Sequence, residues 1–341
     1  MERTTTNATS RASLDSGGSF DPESRAARFF AAIESANAHR VGRGACARYR
    51  DTWRYWRNRG LAPLEKSLEQ IYVAPDIPIV FIVGGPRTGS TVLHQLLCEY
   101  LEVGYTNNKM AGFWSVPVIA AMLYGRAGGG HGIELSSDHG RSVGPNAPHE
   151  FSWFWHEYFD FRDHDDLSTD ELARVDAVSF RRALQGLAGW FGRPTIVKTP
   201  KFTAFQIDWL ARHLPASRFL WITRQRDHNV ASILEARVRE QGDPSVWWAA
   251  RPRDYRRYRH ASPQAQVEHQ VDAIAAAVGN SLARLPERRR LELRYEDLVS
   301  DPMAALQAAA RLCEASVVNR AELSAVRLRP SIRTRSARRQ L

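Results

Sequence analysis

The stretch IVFIVGGPRTGSTVL, residues 79–93, constrains the fold more than any other part of the chain. Its first five residues are apolar, and all but Phe81 are β-branched, which reads as a short strand buried on both faces. Gly84, Gly85 and Pro86 force a turn. Gly89-Ser90-Thr91 then opens a helix whose Val92, Leu93, Leu96 and Leu97 recur at helical spacing. Strand, glycine-rich turn and helix form the layout of a phosphate cradle. Backbone N–H groups and the helix N-terminus face an anion, and the hydroxyls add donors. An ordinary α/β connection has the same local look, so the rest of the chain must decide.

The nucleoside-triphosphatase loop reads G-x-x-x-x-G-K-[ST], with its lysine on the β- and γ-phosphates. Gly84 and Gly89 keep that spacing, but Ser90 stands at the lysine position and Thr91 follows. The cation has moved inside the loop, to Arg87. Such a loop suits a phosphate-bearing group other than a nucleoside triphosphate.

The 341 residues allow one large α/β domain or two small ones, and the 43% hydrophobic content leaves room for a sizeable core. A net charge of +10 points to an anionic ligand, nucleic acid or a membrane surface, or only to arginine-rich composition. Cys46, Cys98 and Cys313 are far apart and odd in number, so neither a zinc site nor a disulfide framework is expected. That favours a reducing cytoplasm. The N-terminus lacks the apolar core of a secretory signal, and the longest apolar run, Val116 to Tyr124, is too short to span a bilayer.

In chain order, residues 1–22 are polar and expected to be disordered. Pro22 to about Asn58 has a helical pattern containing Phe29, Phe30, Ile33, Tyr49, Trp53 and Trp56, a stripe that reads first as core packing. A second strand is expected at 101–105 and a helix at 113–123. Gly125 to Pro148 reads as a long loop of the kind that forms lids. A helix follows over 149–161. Another runs over 168–190, with Ser168 and Glu171 as a capping box. Strands at 195–197, 218–223 and 291–295 then alternate with helices at 204–213, from Asp227 to Arg239, at 264–285 and at 302–313. This rhythm predicts an α/β fold, a P-loop-type mostly parallel sheet flanked by helices on both faces. Ligands of such sheets sit at the carboxyl ends of the strands, where Arg87, Lys198, Arg224 and Tyr295 all fall.

Four separated pieces now resemble one family. Gly85-Pro86-Arg87-Thr88-Gly89-Ser90-Thr91 is similar to the 5′-phosphosulfate loop of sulfotransferases that use 3′-phosphoadenosine 5′-phosphosulfate (PAPS), in the form common among bacterial and Golgi members. Arg224 and Ser232 resemble its 3′-phosphate site. Val197-Lys198-Thr199-Pro200 resembles the Lys-Thr-His strand end of the cytosolic enzymes. The run from Leu293 to Pro302 is similar to the Tyr-Glu-Asp-Leu segment, whose tyrosine, here Tyr295, lies near the nucleotide. The match spans about residues 78–312. The resemblance implies PAPS as co-substrate without a metal. Arg87, Thr88, Gly89, Ser90 and Thr91 would hold the phosphosulfate, and Lys198 the transferring group. Fixed cations there offset charge building on the leaving phosphate.

Two departures stand out. The catalytic histidine of the cytosolic enzymes is Pro200 here, which cannot take a proton. Glu150 and His149, after the long loop, are the candidate bases, with His156 and Glu157 behind them. Glu150 beside aromatics is expected to be partly desolvated; a helix-capping role is the plainer alternative. The glycine-rich basic loop that closes over the 3′-phosphate is also missing. A tail with Arg327, Arg329, Arg333, Arg335, Arg338 and Arg339 stands at the C-terminus, read as disordered or as approaching the nucleotide or an anionic partner.

The organisation expected is a disordered segment 1–22, one sulfotransferase-like domain over 23–326 with an N-terminal helical extension, and a basic tail 327–341. The acceptor is a hydroxyl of a small molecule, lipid or glycan. Trp114, Trp153, Phe154, Trp155, Trp247 and Trp248 hint at an apolar or ring-bearing acceptor, or equally at core. A P-loop kinase and a non-catalytic basic binder are the alternatives. The first lacks its lysine and metal carboxylate; the second lacks any nucleic-acid-binding signature.

Overall fold

A computed structural model describes residues 45–328, except 136, 139, 140 and 162. Residues 1–22, the apolar positions Phe29, Phe30 and Ile33, and the arginines from Arg329 onward lie outside the described residues.

In chain order the elements are α1 (Ala45–Tyr72), β1 (Ile79–Val83), α2 (Ser90–Tyr100), β2 (Gly104–Tyr105), α3 (Pro117–Tyr124), β3 (Arg126–Ala127), β4 (Ser137–Asp138) and β5 (Arg141–Ser142). After these come α4 (Ser152–Tyr158), α5 (Thr169–Ala173), α6 (Ala177–Phe191), β6 (Thr195–Lys198), α7 (Pro200–Thr203), α8 (Ile207–His213) and β7 (Arg218–Thr223). The last are α9 (Arg226–Gln241), α10 (Pro263–Ala283), β8 (Arg290–Arg294), α11 (Tyr295–Ser300), α12 (Pro302–Cys313) and α13 (Arg320–Ala325).

The main sheet runs β3-β2-β6-β1-β7-β8, parallel except for the β2/β3 pair at its edge. The expected mostly parallel sheet is therefore present. β1 lies at its centre, buried at every position. Alternation along the strand sorts its side chains into two different cores. Val80 and Ile82 join an aliphatic cluster with Leu93, Leu96 and Leu97 of α2 and Leu306 and Ala309 of α12. Phe81 turns to the other face, stacking on Phe219 at 5.6 Å and meeting Trp155 edge-on at 6.2 Å. Phe180 and Trp209 extend that aromatic layer. Trp155, Phe154 and Trp114 are core residues.

The structure moves several expected boundaries. α1 continues through Gly60 and Pro63 to Tyr72, where a break near Asn58 was expected. Packing of α1 on α3 and α6 outweighs the local breakers. Trp53 and Trp56, expected in the core, are exposed. The helix expected over 168–190 is two, because Asp176 caps a new start at Ala177. The capping box of Ser168 and Glu171 is present in both directions. Asp227 lies inside the first turn of α9, and the N-cap is Gln225. Tyr295 begins α11 instead of ending β8.

The described residues of the 125–148 segment are held at several points. The Glu99 carboxylate, at the end of α2, accepts from the N–H groups of His131, Gly132 and Ile133 at 3.1, 3.2 and 2.9 Å. Asn108 donates to the Ser142 carbonyl at 3.0 Å, and the Tyr105 hydroxyl to the Asn146 carbonyl at 3.0 Å.

Candidate active site

The carboxyl ends of β1, β6, β7 and β8 open on a cavity of about 830 Å³, within the usual range for small-ligand sites. Its centre is the turn after β1. Gly84 has φ +140°, and a Cβ there would stand 2.6 Å from the Ile222 carbonyl oxygen. Gly89 has φ +93°, and a Cβ there would stand 2.3 Å from the Tyr295 ring. Only glycine lets the loop leave the strand and enter α2 at these two points.

Side chains from distant elements then grip the loop. The Thr88 hydroxyl donates to the Gly85 carbonyl at 2.9 Å, and Asn229 of α9 donates to the Pro86 carbonyl at 2.8 Å. Arg224, just past β7, donates to the Arg87 carbonyl at 3.0 Å, with its guanidinium 4.9 Å from the centre of the Tyr295 ring. Arg87 itself has φ +63°, and its Nε donates to the Ser232 hydroxyl at 3.2 Å. Burial first, then the guanidiniums of Arg224 and Arg239, lowers the Arg87 pKa from its usual value. Arginine stays ionised even so, and the crowding favours an anion between the cations. Arg87, Arg224, Ser232 and Tyr295, expected together, are brought together.

Across the cavity, Lys198 ends β6 and is 4% exposed, with Nζ 2.9 Å from the Thr91 hydroxyl and 2.5 Å from Glu150 Oε1. The Thr199 hydroxyl donates to the Glu150 carbonyl at 2.7 Å. The Glu150 side chain is 41% exposed, so it is partly shielded from water beside Lys198. It does not cap a helix, since the N-cap of α4 is Phe151 and makes no side-chain cap bond.

His149 is fixed differently. Its N–H donates to the Thr106 carbonyl at 2.8 Å, and its Nδ1 accepts from the Phe151 N–H at 2.8 Å. That bond puts the proton of the neutral ring on Nε2. Glu150 lines the cavity and His149 does not. The remaining candidates have other partners. His156 packs on Phe202 and Phe161, and Glu157 is paired with Arg59 at 2.8 Å.

Sequence reasoning passed over Asn229, Lys201, Leu135 and the backbone of 248–250, all at or around the cavity. Ala249 adopts φ +65° there, which nothing in its identity announces. Of the aromatics singled out, Trp248 lines the cavity. Arg327 and Leu328 line it too, so the chain after Val326 does reach the cleft. Among the described residues, Arg87, Lys198, Lys201, Arg224 and Arg327 line the cavity against one carboxylate, Glu150. Among the described residues, no group of three or more His, Cys, Asp or Glu side chains is placed to hold a metal ion.

The cleft at the strand ends of this parallel sheet is lined by cations, a setting that suits an anionic ligand. The profile of the sulfotransferase family matches residues 78–318, and the chain belongs to that family. It is an enzyme of sulfuryl transfer. Among solved structures, it is similar to the sulfotransferase STF1 from Mycobacterium tuberculosis H37Rv, at 15% identity and a TM-score of 0.49, over 90% of this chain and 88% of that one. It is also similar to the sulfotransferase STF9 from Mycobacterium avium, at 14% identity and a TM-score of 0.44, over 71% of this chain and 64% of that one. A third is the sulfotransferase domain of the Synechococcus PCC 7002 olefin synthase, at 17% identity and a TM-score of 0.34, over 70% of this chain and 73% of that domain. No curated protein matches the chain in sequence.

Proposed function

We propose that the chain transfers a sulfuryl group from PAPS to a hydroxyl of a small-molecule, lipid or glycan acceptor. The reading rests on one observation. Arg87, Arg224 and Ser232, from three elements, are hydrogen-bonded around a glycine-rich turn that opens a helix. This set fits a ligand with phosphates at two positions. The 5′-phosphosulfate would take Arg87 and the N–H groups and hydroxyls of Gly89, Ser90 and Thr91. The 3′-phosphate would take Arg224 and Ser232, with Tyr295 beside the nucleotide. The donor supplies a sulfur already activated by its phosphate.

Lys198 stands where the transferring group would lie. An anion in the cradle competes with Glu150 for that ammonium, which releases the carboxylate toward the acceptor. Glu150 then takes the hydroxyl proton as the acceptor oxygen bonds to sulfur. The sulfur–oxygen bond to the 5′-phosphate breaks in line, and its electron pair leaves with the phosphate. Leu135, Trp248 and Leu328 give the cavity apolar surface, which supports an acceptor with an apolar or ring-bearing body.

Calorimetric titration with 3′-phosphoadenosine 5′-phosphate (PAP), in chelator, tests the reading. Binding without added metal is the expected result. No binding there, with tight binding of ATP–magnesium, would overturn it in favour of a kinase.

A further inference from the structure

α1 carries Tyr55 inward together with several polar residues, while large apolar residues face outward. Along α1, Asn58, Glu65 and Glu69 are buried, while Trp53 and Trp56 are 54% and 64% exposed, and Leu64 and Ile71 are exposed beyond them. The inward carboxylates have partners to serve. Glu65 accepts from the N–H groups of Val118 and Ile119 at 2.7 and 2.9 Å, capping the start of α3. Positions 53, 56, 60, 64, 67 and 71 are separated by steps of three or four, so the outward residues form one stripe.

The stripe continues onto α3. The Arg57 guanidinium lies 4.8 Å from the Trp53 ring and 3.6 Å from the Phe113 ring, and Phe113 is 5.6 Å from Tyr124. Met122, Leu123 and Tyr124 are all exposed. Single exposed apolar residues need no explanation, but a contiguous set does.

Charge selects what fits this face. Arg54, Arg57 and Lys66 flank the stripe on α1, and the exposed Arg126 follows α3. Asp51 is engaged by Arg54 at 3.7 Å, while Glu65 and Glu69 point inward. A second copy laid stripe to stripe would bring like charges together. Tryptophan beside arginine on an apolar helix face suits the headgroup layer of an anionic bilayer.

We propose that the outer face of α1, with the end of α3, docks on a membrane rich in anionic phospholipid. No helix among the described residues is long and apolar enough to cross a membrane, so the helix would lie in the interface. The Arg59–Glu157 pair joins α1 to α4, and α4 begins two residues after Glu150. The docked face is therefore one helix away from the proposed base.

The test is co-sedimentation of the full chain with phosphatidylcholine vesicles, with and without phosphatidylglycerol. Binding should need the anionic lipid, weaken with salt, and be accompanied by quenching of tryptophan fluorescence by brominated lipid. The double substitution Trp53→Ala and Trp56→Ala should weaken it about tenfold or more. Melting temperature and PAP affinity should hold, because both side chains are more than half exposed. Three results would overturn the proposal. The first is equal binding to both vesicles. The second is binding that survives the double substitution, which would assign it to the arginine-rich C-terminal residues. The third is a solution dimer that the double substitution dissolves, which would assign the face to a second copy.

Discussion

The two walls of the cleft differ in what holds them. On the cradle wall, Arg224 and Asn229 bond to loop carbonyls, and the tight points are glycines facing Ile222 and Tyr295. On the opposite wall, Lys198 and Glu150 meet side chain to side chain across 48 positions of sequence. A wall whose loop is held mainly through its own carbonyls, with the Arg87–Ser232 bond as its side-chain link, tolerates little change. A wall made of side chains can be re-cut for a different acceptor without disturbing the fold. Damage should therefore appear in binding on the first wall and in turnover on the second.

The largest expected effect falls on the Glu150 wall. Glu150→Gln should lower kcat by about 10²–10⁴, the usual contribution of a positioned base, while PAP affinity by calorimetry stays within a few-fold. Loss of affinity alongside turnover would erase the division between the walls.

Arg224→Ala should act in the opposite sense, weakening PAP binding by about 1.5–3 kcal/mol, the range for a charged hydrogen bond. Analogues without the 3′-phosphate should lose far less. An equal loss for both would show that Arg224 supports the loop and does not read that phosphate.

Acid should sharpen the contrast. His156 packs on Phe202, next to the Pro200–Lys201 turn, and burial followed by the nearby Lys201 pushes its pKa down to about 4. A free histidine near 6.5 takes its proton first when the chain unfolds, so stability present above pH 6.5 is lost as pH falls toward 4. By pH 5 the loss should be about 2 kcal/mol, and His156→Phe should remove most of that pH dependence in urea melts.

The smallest effect is at Ser232. Removing its hydroxyl with Ser232→Ala should cost about 1 kcal/mol of PAP affinity and leave kcat at saturation unchanged.

The cradle wall was legible because its signals are local or lie at strand ends. Gly84 and Gly89 sit at a fixed spacing, and Arg224 follows an apolar run whose parallel partners are set by the alternation of β-strands and helices. The Glu150 wall was legible only in part. The missing histidine at Pro200 pointed toward residues 149–150, but the Lys198 ion pair that engages Glu150 arises from a contact between β6 and the residues before α4. The same limit explains α1. Gly60 and Pro63 argue locally for a break, and Trp53 and Trp56 for burial. The deciding partners are the N–H groups of α3, far along the chain. Asn229 and the 248–250 backbone carry no local signal, since their role exists only once the loop is in place.

α2 begins at the cradle with Ser90 and ends with Glu99 and Tyr100, where the carboxylate holds the backbone of 131–133. At about 1.5 Å per residue, its eleven residues act as a gauge rod of about 16 Å. One end opens the glycine-rich cradle and the other seats the loop that leads to Leu135 at the cavity. A single inserted residue would turn one end about 100° against the other, and cradle and loop would no longer face the same space. The length of this helix is thus part of the machinery, as much as any side chain it carries.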